Sequence, residues 1–218
     1  VTIEKGKEWG HRITAPPVVL LANSDRDLAE QWTRQTDGIF RVTDGDLFSA
    51  LGCPTWDDPA AELQLLPIDV IEVQIIYDNS AGNDNPNEVN SSENAWDIRY
   101  AISSVQVGKW LSRGRFVCVS NTGFIDRYNI APRAHPNDGE IDVVTISSSM
   151  DWRQRIQARG RARVGNHVPH PDISMQRGTE AQWSKERSGE SLRVDGQLVK
   201  GWHTVSVRVL PDACRVVV

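Results

Sequence analysis

The chain has 218 residues, 39% of them hydrophobic and 24% charged, with 24 Lys+Arg against 29 Asp+Glu and a net charge of −5. These proportions suit one large globular domain, or a domain with a small appendage, and exclude a wholly disordered chain. The acidic balance gives no global attraction to nucleic acid, and no apolar run approaches the ~20 residues that a membrane-spanning helix needs.

Val1-Thr2-Ile3-Glu4-Lys5 has no apolar h-region, so no secretory signal is read there. Residues 17–22 read as a buried strand. Ser24 then offers an N-cap, and Leu28, Ala29 and Trp32 have the spacing of a short amphipathic helix. Ile39-Phe40-Arg41-Val42 reads as a second strand, and Thr43 or Asp44 as the cap of a helix over Asp46–Leu51. A helix between two strands predicts a small parallel βαβ unit.

The pattern then changes. Ile71, Val73, Ile75 and Tyr77 alternate with more polar neighbours, as in a strand with one buried face. Residues 79–95 are Asn, Ser, Gly and acid and read as a loop. Strand signals follow at 97–107, 115–120, 141–146, 190–194, 202–209 and 213–218, with Asp195-Gly196 as a hairpin turn. One helix interrupts them over Asp151–Arg163, with Ser147, Ser148 and Ser149 as capping hydroxyls. Trp152, Ile156 and the Arg159 stem are expected inside, and the arginines outside. The predicted class is α+β: a β-rich, two-sheet, sandwich-like body over residues 61–218 and a short α/β segment over residues 1–60.

Cys53, Cys118 and Cys214 are far apart and form no CxxC, so they read as free thiols in a reducing compartment, and the protein as cytoplasmic. His167 and His170 read as loop histidines. Trp96 and Trp110 read as core fillers, or as walls of a lipid-facing groove. The cluster Arg153, Arg155, Arg159, Arg161 and Arg163 reads as a solvated basic helix face; the competing reading is peripheral contact with a membrane surface. No G-x-S-x-G elbow, Walker A or Rossmann fingerprint occurs.

Two stretches carry a family resemblance. Phe116-Val117-Cys118-Val119-Ser120-Asn121 leads into Ala131-Pro132-Arg133-Ala134-His135-Pro136-Asn137-Asp138-Gly139-Glu140-Ile141-Asp142-Val143. Leu192-Arg193-Val194-Asp195-Gly196-Gln197 leads into Val209-Leu210-Pro211-Asp212-Ala213-Cys214-Arg215-Val216. In this order they resemble the C-terminal domain of YegS-like and diacylglycerol-kinase-family lipid kinases, over roughly residues 65–218.

That resemblance implies several roles. In the family a glycine-rich loop of an α/β domain holds nucleotide phosphates through backbone N–H groups. The nearest match here is Asp44-Gly45-Asp46, with one glycine and an added acid; its plainer reading is a strand-to-helix turn. The loop at Asn137-Asp138-Gly139 corresponds to a Mg²⁺ site, which implies the Asp138 carboxylate with the carbonyls of His135 and Glu140. Its plainer reading is a tight turn without metal. The family's proposed general base corresponds to Gln197, an amide with no useful basicity, beside Asp195 in the turn. Asp195 and Gln197 are therefore relic positions, and no catalytic residue and no resident cofactor are expected. The implied function is a non-catalytic lipid-kinase-like protein that binds a lipid or amphiphile or acts as a regulatory module. The alternative is a minimal or split kinase passing phosphate from ATP to a diacylglycerol or sphingoid hydroxyl. A module that binds another protein through its sheet edges is a third reading.

Overall fold

In the computed structural model, residues 8–14, 18–55, 63–78 and 96–218 are described. The loop read over 79–95 and the start of the strand read over 17–22 lie outside them. The first half carries β1 (His11–Ile13), β2 (Leu20–Ala22), α1 (Asp25–Arg34), β3 (Ile39–Val42), α2 (Asp46–Ala50) and the long β4 (Leu63–Tyr77). Next come β5 (Trp96–Ala101), β6 (Ser104–Val107), β7 (Phe116–Ser120), β8 (Phe124–Ile125), β9 (Tyr128–Asn129) and β10 (Ile141–Ile146). The chain ends with α3 (Trp152–Ala162), β11 (Ile173–Gly178), β12 (Glu180–Ser184), β13 (Leu192–Val194), β14 (Gln197–Val199) and β15 (Trp202–Val217).

Among the described residues these strands form two main sheets and a small β8–β9 ribbon. The first sheet is built on β4 and β15, which pair antiparallel from Trp202↔Tyr77 to Val217↔Leu65. The second runs β11-β10-β7-β6-β13-β14. The two-sheet, β-rich α+β body predicted from the sequence is thus present.

The period-2 pattern explains how one pair of strands serves two cores. Ile71, Val73 and Ile75 of β4 pair with Val209, Val207 and Val205 of β15 and point at the second sheet. Leu66, Ile68 and Val70, of opposite parity, point the other way with Cys214 and Val216. Leu28, Ala29 and Trp32 of α1 cover that face. The register shift between Leu210 and Cys214 inserts two residues, so the parity survives it.

The predicted βαβ unit is also present. β2 and β3 pair in parallel, and β3 pairs in parallel with β15, so the α/β segment is built onto the body's own sheet. Ser24 caps α1, accepting from the Asp27 amide.

Three sequence expectations are overturned. α2 is not capped by Thr43 or Asp44: Gly45 stands at the cap and gives no side chain, while Thr43 bonds back to Ala22 and Asn23. The inward face of α3 is also reversed. Arg155, Ala158 and Ala162 are buried, whereas Trp152 is 62% and Ile156 49% exposed. The Arg155 guanidinium is satisfied by the carbonyls of Met150, Trp110, Gly114 and Ser147, so this one arginine of the basic cluster is unavailable to a membrane. The cap is Asp151 with Gln154 in a capping box, and not the preceding serines.

Candidate functional site

A cleft of about 490 Å³ opens where the α/β segment meets the second sheet. Its walls bring together Asp25 at the start of α1, Asp44, Gly45 and Asp46 at the start of α2, Asp126 beside β8, and Asp195 in the β13–β14 turn. Two sequence-predicted groups far apart in the chain therefore share one site. Gln197, which opens β14 opposite Val194, does not line this cleft.

Asp25 was not foreseen from sequence. Its Oδ2 accepts from the Asp46 amide at 2.7 Å and its Oδ1 from the Leu47 amide at 3.0 Å. These are the free donors at the start of α2, and Asp25 caps them from another element. The contact requires glycine at position 45. Gly45 has φ +116°, and a Cβ there would lie 2.6 Å from Asp25 Oδ1. Asp25 is 7% exposed. Burial, reinforced by the neighbouring Asp195 charge, pushes its carboxyl up to about 7. Asp46 is pushed up to about 6 by burial and by Asp126.

Asp195 sits at φ 41° and Gly196 at φ 75°, as a two-residue hairpin turn needs. The turn aims the Asp195 carboxylate inward. It accepts from the amides of Ile102, Ser103 and Ser104 at 2.7, 3.0 and 2.9 Å and from the Ser103 hydroxyl at 2.9 Å. The β5–β6 corner is thereby fastened to the β13–β14 hairpin. Burial raises the pKa of this carboxyl, and the donated hydrogen bonds oppose the rise.

The Asn137-Asp138-Gly139 loop lies elsewhere and is organised by the fully buried Asp69 of β4. Asp69 accepts from the amides of Gly139 and Asp212 at 2.8 and 2.9 Å and from the Asn137 side chain at 3.3 Å. A lone acid inside the apolar run Leu66-Pro67-Ile68-Asp69-Val70-Ile71 was the available signal for it. His135 receives the Asn137 amide on Nδ1 and packs edge-on against Trp9. Burial lowers its pKa.

Arg177 of β11 bonds directly to Asp138 and lies 3.2 Å from Glu140 and 3.4 Å from Asp142. A guanidinium held by the carboxylates of this loop repels a divalent cation and takes an oxygen of Asp138, the one side-chain ligand that the resemblance implies. With Arg177 on it, the Asp138 carboxylate does not fit the implied Mg²⁺ ligand set it was to share with the carbonyls of His135 and Glu140. Among the described residues no group of three or more His, Cys, Asp or Glu side chains is disposed to hold a metal.

Residues 94–218, more than half of the chain, match the family model of the YegS C-terminal NAD kinase beta sandwich-like domain. The chain belongs to this family. Among solved structures, a diacylglycerol kinase from Bacillus anthracis str. Sterne aligns with a TM-score of 0.59 and 13% identity, over 91% of this chain and 76% of that one. Two further structures from the same strain, of a protein assigned as a diacylglycerol kinase, align with TM-scores of 0.52 at 12% and 13% identity. They cover 91% of this chain and 76% and 77% of theirs. At such identity the likeness is one of fold. Among curated proteins, no sequence matches this chain. No helix of the described residues of this YegS-type protein is long and apolar enough to cross a membrane.

Proposed function

We propose that this member of the YegS family is a non-catalytic lipid-kinase-like protein that binds a lipid or another amphiphile, or acts as a regulatory module. Asp25 carries the reading. A phosphate held at the Asp44-Gly45-Asp46 turn would need the amides of Asp46 and Leu47, and the chain's own carboxylate already accepts both. When ionised, above about pH 7, that carboxylate would also repel a triphosphate at short range. Asp195 supports the same reading, because four donated hydrogen bonds make it a structural acceptor. Gln197 offers no basic group. We propose further that Arg177 does, for the 137–140 loop, the charge balancing that a metal would otherwise do. The free thiols Cys53, Cys118 and Cys214 suit a reducing, cytoplasmic setting.

A second reading, a minimal or split lipid kinase, is favoured by one observation. Asp46 and Asp195 line the same cleft, burial raises both carboxyls, and Asp46, pushed up to about 6, approaches the range where a carboxylate is most useful as a proton acceptor. Labelled ATP with diacylglycerol and sphingoid lipids separates the two. No labelled lipid above the protein-free background is expected. Turnover that disappears in Asp195→Asn would establish the kinase instead. Asparagine is preferred to alanine because its oxygen can still accept from the residue 102–104 corner. Native mass spectrometry of the freshly purified protein tests the binding arm: a retained lipid supports it, and a retained nucleotide contradicts it.

A further inference from the structure

Among the described residues, nine large hydrophobic side chains are exposed, and four of them, Leu111, Trp152, Ile156 and Val164, belong to α3 and its immediate surroundings. Trp152 and Ile156, at i and i+4, are neighbours on one row of the helix that runs on to Gly160, and the exposed Val164 follows in the turn after it. Leu111 is tied to this helix by its neighbour: Trp110 Nε1 donates to the Arg155 carbonyl at 3.0 Å, and Arg155 Nη1 donates to the Trp110 carbonyl at 3.0 Å. These apolar groups leave the core because the opposite face is taken by Arg155, Ala158 and Ala162.

The flanks of this row are cationic. The Arg153 guanidinium lies 5.6 Å from the centroid of the Trp152 ring. On the other side Arg159 and Arg163 lie 4.7 and 5.9 Å from the centroid of the Tyr128 ring. No acidic residue occurs from Trp152 to Arg163, in a chain whose net charge is −5.

We infer that this face of α3, with Leu111 beside it, docks on an anionic lipid bilayer. Charge complementarity selects the occupant: guanidinium groups on both flanks meet headgroup phosphates while the tryptophan and aliphatic side chains enter the interface. The four exposed apolar side chains, Trp152, Ile156, Val164 and Leu111, make a small patch against the roughly 800 Å² per partner of a stable protein interface. Attachment of this kind is reversible and salt-sensitive, since each arginine near an anionic surface adds on the order of a fivefold gain in partitioning. The inference does not depend on whether the cleft turns over ATP.

Co-sedimentation of the whole protein with vesicles tests it. Binding to vesicles of phosphatidylglycerol mixed with phosphatidylcholine is expected, with little binding to phosphatidylcholine alone and loss at high salt. The double variant Arg153→Gln/Arg163→Gln is expected to bind about 25-fold more weakly, and Trp152→Ser/Ile156→Ser to lose binding. All four side chains are exposed, and unchanged near-ultraviolet circular dichroism checks the fold. Brominated lipids give a readout without a disruptive change: they are expected to quench fluorescence of the wild type and much less of Trp152→Phe. Equal binding to neutral vesicles, variants that bind like the wild type, or no binding to anionic vesicles would each overturn the inference; the last would leave the face to a protein partner.

Discussion

Asp25 and Asp195 are short, buried carboxylates, and each is used as a hydrogen-bond acceptor for a turn of backbone in another element. Such groups hold a fold together most firmly when little charge must be kept out of water. The Asp25 carboxyl is raised to about 7 in the folded chain from 3.8, so the folded state binds its proton more tightly than the unfolded state. The stability from that proton is fully present below the unfolded value of 3.8 and is lost as pH rises through about 7. Asp46 and Asp142, both raised to about 6, act in the same direction slightly lower on the scale. His135 and His167, both lowered, oppose this only below their ordinary value of 6.5. Thermal unfolding followed between about pH 6 and 8 should show falling stability in the wild type and a flatter profile in Asp25→Asn. A steeper or unchanged profile in the variant would show that Asp25 does not titrate there. The sequence displayed Asp44, Gly45 and Asp46 as a turn, but nothing in local spacing said that an acid some twenty residues earlier would cap it. Capping from a distant element leaves no periodic trace.

At the scale of elements, α3 shows how a pattern can be read in the wrong phase. Apolar side chains are few in it, and the natural expectation buries Trp152 and Ile156. The helix instead buries one arginine, whose guanidinium meets four carbonyls of the flanking loops, and two alanines that permit close approach. Burial holds the Arg155 pKa below its usual value, with the Arg187 charge adding to this. Replacement by Leu removes the donors and leaves carbonyls unpaired in a closed site. Chemical denaturation of Arg155→Leu should show a loss of about 3 kcal/mol or more. A loss of less than about 1 kcal/mol, as for an ordinary surface arginine, would contradict this role. The β13–β14 hairpin was legible because Asp-Gly suits positive φ at both turn positions. β11 and β12 were not, since Gln176, Arg177, Glu180 and Gln182 give them mostly exposed, polar edge character.

For the whole molecule, the strongest sequence signals were those with long apolar periodicity. The second half of β4, from Ile71 to Tyr77, and the segments 202–209 and 213–218, which the structure joins into the single strand β15, announced themselves through alternating apolar residues, and the βαβ segment through its capped amphipathic helix. What period alone could not convey was that β15 runs through both cores and takes β3 as a parallel neighbour. That single long strand brings the Asp44–Asp46 turn and the Asp195 turn to one cleft, because each is attached to a sheet that contains or faces it. A YegS-type frame is therefore present, with the chain's own carboxylates lining the cleft that the proposed reading concerns. The most direct test is calorimetric titration of the purified whole chain with ATP and Mg²⁺ at neutral pH. No saturable heat beyond dilution is predicted. Saturable binding of one nucleotide per chain would contradict the account.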